Sequence, residues 1–177
     1  MTKPSTPNRT LCLSFPTLNT NLIMSHPITI RKAVESDSKT LVAFNMAMAL
    51  ETEQLHLQKR KVEAGVKELF RNPEHGFYLV AEIEGRIVGS LLITTEWSDW
   101  RNGLYWWIQS VYVLPETRRR GVYRTLYRYI QEMAADHPEV CGCRLYVEKD
   151  NMAAQRTYTR LGMNESNYKM FEEMFRE

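Results

Sequence analysis

The residues best suited to chemistry lie in one run, Gln109 to Ile130, QSVYVLPETRRRGVYRTLYRYI. Val111, Tyr112 and Val113 read as a strand, Pro115 stops it, and Arg118, Arg119, Arg120 and Gly121 form a basic turn. Val122, Leu126, Tyr129, Ile130 and Met133 then recur at spacings of three and four, which predicts a helix. A strand thus feeds a glycine-containing turn at a helix N-terminus. The first helical N–H groups lack intrahelical acceptors and the helix dipole is positive there, so the turn suits an anion such as a pyrophosphate. Three arginines add full charges, Gly121 allows close backbone approach, and Thr125 offers a hydroxyl one turn in. The same turn is also readable as a solvated basic loop.

A second constellation is Asn151 to Met163, NMAAQRTYTRLGM. Asn151, Ala154 and Tyr158 share one helical face, and Gly162 follows as a C-terminal cap. A phenol of ordinary pKa about 10 stays protonated at neutral pH and can serve as an acid. On spacing alone, a tyrosine in a late helix is more often a packing residue with a satisfied hydroxyl.

Both stretches resemble the GNAT acyltransferases. Arg118-x-x-Gly121-x-Tyr123 is similar to that family's pyrophosphate-binding Arg/Gln-x-x-Gly-x-Gly/Ala motif, with tyrosine at the usually small third place. Asn151 to Met163 is similar to Asn-x-x-Ala-x-x-x-Tyr-x-x-Leu-Gly-Phe, with Met163 for Phe. The Val111 to Val113 strand resembles that of polyamine-acetylating members. The resemblance implies acetyl-CoA as acyl donor and direct attack by a primary amine of a small cationic substrate. It places the pyrophosphate on Arg118, Arg119, Arg120, Gly121, Val122, Tyr123, Arg124 and Thr125, and the pantetheine arm on the backbones of Val111, Tyr112 and Val113, with Asn151 nearby. An amide of Val111 or Tyr112 would polarise the carbonyl, and Tyr158 would protonate the leaving sulfur. A non-catalytic acyl-CoA-binding module is the alternative.

The general base has no obvious owner. Gln109 stands where the polyamine-acetylating members carry glutamate, and an amide accepts no proton at neutral pH. Glu96, Asp99, Glu51, Glu53 and a water chain held by Gln109 and Ser110 are the alternatives. Trp97 and Asp99, followed by Trp106 and Trp107, combine rings with carboxylates and suit an ammonium ion, though a dimer contact or a core cluster explains the tryptophans as well. Glu51 and Glu53 favour a cationic substrate.

The elements that must position these groups follow from the pattern. Strands are predicted at 28–31, 77–83, 87–94, 104–113 and 143–148, with Met163 to Phe175 as a last strand, hairpin or helix. Helices are predicted from Ser36 or Asp37 to Glu53, over 61–70, after Gly121 to His137-Pro138, and over 151–161. This is the order of the GNAT fold, an α/β (α+β) architecture whose mixed, mostly antiparallel sheet would have six to seven strands and about four helices. In that family the fourth and fifth strands splay apart to admit the pantetheine arm.

Composition agrees with one such domain over 27–177 after a flexible tail, 1–26, rich in Pro, Ser, Thr and Asn. The 177 residues are 44% hydrophobic and 25% charged, enough for one sizeable core. A net charge of +2 is too small to argue for nucleic acid by itself, no long stretch alternates basic and aromatic residues, and no nucleic-acid partner is expected. Cys12, Cys141 and Cys143 lack metal-ligand spacing and suit reduced, cytoplasmic thiols, so no metal is expected. No apolar run approaches membrane-spanning length. A homodimer is compatible with this composition.

Overall fold

The computed structural model describes residues 26–175, so the expected tail lies almost wholly outside them. Four helices flank a five-stranded sheet of order β1-β2-β3-β4-β5. The strands are β1 Thr29–Lys32, β2 Phe77–Ile83, β3 Arg86–Ser98, β4 Gly103–Val113 and β5 Val140–Arg144. The first three pairings are antiparallel, and β4 with β5 is parallel across the helix between them. The helices are α1 Ser38–Glu53, α2 Lys59–Arg71, α3 Val122–Ala135 and α4 Met152–Arg160.

Period-two alternation in β2 serves both faces of the sheet. Tyr78 and Val80 join Leu41 and Val42 of α1 and Val66 of α2 on one side. Leu79, Ala81 and Ile83 join Val122, Leu126, Tyr127 and Ile130 of α3 on the other. Buried on both faces, the central strands read as nearly continuous apolar runs. The β2–β3 hairpin closes through Glu84 (φ 52°) and Gly85 (φ 75°), the two left-handed residues that a tight primed turn requires.

Several sequence expectations are corrected. The sheet has five strands, because Met163 to Phe175 is irregular and adds none. The fifth strand is Val140–Arg144 rather than 143–148, because pairing with β4 ends at Trp107 opposite Arg144 and an alternating segment without a neighbour forms no ladder. Neither Ser36 nor Asp37 caps α1 with its side chain. Asp37 instead accepts from the Val34 amide (2.8 Å) and from Arg31 Nη1 (2.7 Å), and Arg31 Nη2 also reaches Glu82 (2.6 Å). That guanidinium ties β1, β2 and the entry to α1 together.

Candidate active site

Past Trp107 and Arg144, β4 runs on to Val113 with no strand on its β5 side. The parting coincides with a bulge: Ser90 faces Tyr112 and Leu92 faces Gln109, so Ser110 and Val111 together stand opposite Leu91. Ser110 takes φ 48°, the left-handed region where such bulges commonly carry glycine. A bulge re-aims backbone and side chains at the point where a ladder ends.

The same strand delivers the chain into the basic turn. A short 3-10 turn, Pro115–Thr117, is followed by Arg118 in extended conformation, Arg119 at φ 62° and Gly121 at φ 87°. Gly121 is the N-cap of α3, and no side chain caps that helix. Thr125 N–H and Oγ1 both donate to the Gly121 carbonyl (2.9 and 3.1 Å), so the amides of Val122, Tyr123 and Arg124 are the helix's free donors. Arg119, Arg120 and Arg124 are exposed beside them.

Arg118 behaves differently from its neighbours. Its Nε donates to the Val113 carbonyl (2.9 Å), its Nη2 to Glu51 Oε2 (2.5 Å), and its guanidinium lies 5.6 Å from the Tyr112 ring centroid. Tyr112 is buried against Phe44 of α1 and donates its hydroxyl to Glu51 Oε1 (2.9 Å). Partial burial pushes Glu51 up, but the hydrogen bonds from Arg118 and Tyr112 outweigh it and hold the carboxyl below the ordinary glutamate value. Burial, then the Glu51 hydrogen bond, raises Tyr112, which therefore stays protonated.

Tyr158 projects from α4 onto α3. Its ring meets Tyr123 edge-on at 5.4 Å, and Tyr123 lies nearly parallel to Tyr127 at 6.3 Å. Burial raises Tyr158, and burial followed by the neighbouring phenols raises Tyr123 further. The Tyr123 hydroxyl is buried with no partner in the protein. Cys143, beside this cluster, is pushed up to about 11 by burial and is an unreactive thiol at neutral pH. Asn151 caps α4 by accepting from the Ala154 amide (3.1 Å). The helix closes with Met163 N–H to the Tyr158 carbonyl and Gly162 N–H to the Thr159 carbonyl, both 3.1 Å, with Gly162 at φ 92°.

The remaining candidates separate. Gln109 Nε2 donates to Thr94 Oγ1 (2.6 Å) on the adjoining strand. Glu96 accepts from Trp107 Nε1 and from Arg144 Nη1 (2.7 Å), and Arg144 also stacks on Tyr105 at 3.7 Å. Trp106 is core, while Trp97 and Trp100 are exposed near the hairpin tip. There Asp99 accepts from the Trp100 amide (2.8 Å). Trp97 pairs with Leu104, about 17 Å of strand from Gln109. The structure therefore does not gather Trp97, Asp99, Glu51 and Glu53 into one pocket. Glu53 is exposed. Among the described residues no cluster of His, Cys, Asp and Glu could hold a metal ion, and no helix is long and apolar enough to cross a membrane.

A model of the acetyltransferase (GNAT) family matches residues 43–163. The chain belongs to that family. A possible acetyltransferase from Clostridium difficile 630 is similar at 41% identity and TM-score 0.79, over 85% of this chain and 99% of that one. A predicted acetyltransferase from Clostridium acetobutylicum, solved with acetyl-CoA, shares the fold at 16% identity and TM-score 0.69, covering 83% and 96%. AAC(6')-Iy in complex with the bisubstrate analogue CoA-S-monomethyl-acetylneamine does so at 16% and 0.67, covering 84% and 98%. No curated protein matches.

Two features of this GNAT protein escaped the sequence reading. The bulge at Ser110 carries no glycine to announce it. The bond from Arg118 to Glu51 joins residues 67 positions apart, and no local pattern encodes it.

Proposed function

We propose that this GNAT protein transfers the acetyl group of acetyl-CoA to a primary amine of a small cationic molecule in the cytoplasm, as one domain over 27–177. The observation that carries the proposal is the parting of β4 from β5 beside the uncapped, arginine-flanked N-terminus of α3. An unpaired strand edge suits an amide-bearing arm, and free helical amides with Arg119 and Arg120 suit a pyrophosphate. The residues present fit this donor.

Acetyl-CoA would supply an activated acyl thioester. The backbone edge at Val111, Tyr112 and Val113 would align the pantetheine arm, as the free side-chain amide of Asn151 would from α4. An amide N–H at the bulge, from Val111 or Tyr112, would donate to the carbonyl oxygen as charge builds there. Tyr158, held protonated by burial, would give its proton to the sulfur. Glu96, bound on both oxygens by Trp107 and Arg144, is poorly placed to act as base. The amine proton would instead leave to solvent, by way of a water that the Gln109 carbonyl could orient, since its amide nitrogen is fixed on Thr94.

Calorimetric titration with acetyl-CoA and thiol release with a panel of primary amines test the proposal. Binding that weakens about tenfold or more in an Arg119→Glu, Arg120→Glu variant, with product from at least one amine, supports it. Binding without product from any amine would make the chain an acyl-CoA-binding module. Absence of binding would refute both.

A further inference from the structure

Arg118 belongs by position to the anion-binding turn, yet its guanidinium is folded back onto Glu51 (2.5 Å) and the Val113 carbonyl (2.9 Å). Both charged side chains are partly in water, 44% exposed for Arg118 and 38% for Glu51, so the pair is free to exchange partners. Glu51 sits in the last turn of α1, where the helix dipole already disfavours negative charge. It is held there by two donors, one of which, Tyr112, is buried and fixed by Phe44. The other is a flexible arginine whose backbone lies four residues before the first free amide of α3, that of Val122.

Building on the donor reading above, we propose that Glu51 competes with the donor's pyrophosphate for Arg118. An anion on the turn draws Arg118 away, and the uncovered Glu51 carboxylate, still held by Tyr112, then receives the acceptor's ammonium group. Arg118 is thus a positioning residue that couples the two halves of the site. Without the donor, Glu51 is masked by a cation and offers little to an amine. With the donor in place, one carboxylate oxygen is freed. The coupling is reciprocal by linkage: whatever strengthens the amine by unmasking Glu51 is matched by an equal gain for the donor when the amine is bound.

The test needs no known acceptor. Coenzyme A is titrated against the wild type, Glu51→Gln, Arg118→Met and the double variant, with thermal melts as a check on folding. Removing the competing carboxylate is expected to tighten coenzyme A about fivefold in the wild type and to have no effect once Arg118 is methionine. An unchanged or weakened affinity in Glu51→Gln would make the pair a structural strut and overturn the proposal. So would an equal gain in the Arg118→Met background, since the effect would not pass through Arg118. Failure of every variant to bind coenzyme A would refute the donor reading itself, a separate outcome. As a second arm, 1,3-diaminopropane is titrated with and without coenzyme A. Tighter binding with it, lost in Glu51→Gln, supports the unmasking step, and equal affinities overturn that step.

Discussion

Tyr158 is half-buried where α4 meets α3, burial raises its pKa, and the proposed acid role rests on the proton it therefore keeps. Replacing it with Phe preserves the edge-on packing against Tyr123 while removing the proton. Turnover is expected to fall about a hundredfold, with acetyl-CoA affinity within about twofold of the wild type. Steady-state thiol release beside calorimetry separates the two, and an unchanged rate would exclude Tyr158 as the acid. Tyr123 makes the opposite case. Its hydroxyl is buried without a protein partner, an arrangement that costs about 1 kcal/mol or more. Tyr123→Phe is therefore expected to stabilise the ligand-free protein by about 1 kcal/mol in urea melts, and a loss of stability would sink that account. The place of Tyr158 on a helix capped by Asn151 was legible because its neighbours match a long motif. The inward packing of Tyr123 was not, since the motif only marked it as a departure. The pairing of Glu96 was hidden for a related reason: its partner Arg144 lies on β5, and nothing near Glu96 in sequence announces it.

At the level of elements, the strand-turn-helix run from β4 to α3 could be read almost whole. Pro115, Gly121 and the spacing of apolar residues each act locally. The bulge was hidden because it depends on register with β3, and register is set by two strands together. β5 was misplaced for the same reason, since alternation continues past Arg144 but its ladder stops there. Ser110 therefore deserves a direct test. Left-handed backbone costs a non-glycine residue about 1 kcal/mol, and a β-branched residue more. Ser110→Gly is expected to hold or raise stability by up to about 1 kcal/mol, whereas Ser110→Val lowers it. Chemical denaturation ranks the pair, and Ser110→Val equal to wild type would show that the bulge had shifted or dissolved.

Across the whole molecule, the order of elements follows from periodicity, but the ties that fix their angles are long-range. Arg31 reaches Glu82, 51 positions away, and Asp37 beside α1. Locally, Ser36 and Asp37 both read as helix caps, because Ser or Asp before an apolar run has that meaning. The Arg31 hydrogen bond holds Asp37 below the ordinary carboxylate range, against an opposing push from burial. A carboxyl depressed in the folded state stabilises fully above its unfolded value, about 4, and that stability is lost as pH falls through the lower folded value. Glu51, also depressed, adds in the same direction, with its contribution screened because both it and Arg118 are more than a third exposed. Arg31→Leu leaves the mostly buried Asp37 carboxylate unpaired. Since 35% of the Arg31 side chain is exposed, the loss at pH 7 is expected near 2 kcal/mol, below the range for fully buried pairs. The difference between variant and wild type should then shrink as pH drops below about 4 and on through the depressed folded value of Asp37. Urea melts at pH 7, 5, 4 and 3 follow that convergence. A gap that stays constant through the acid limb would mean that Arg31 stabilises the sheet by packing its stem rather than by holding the carboxylates.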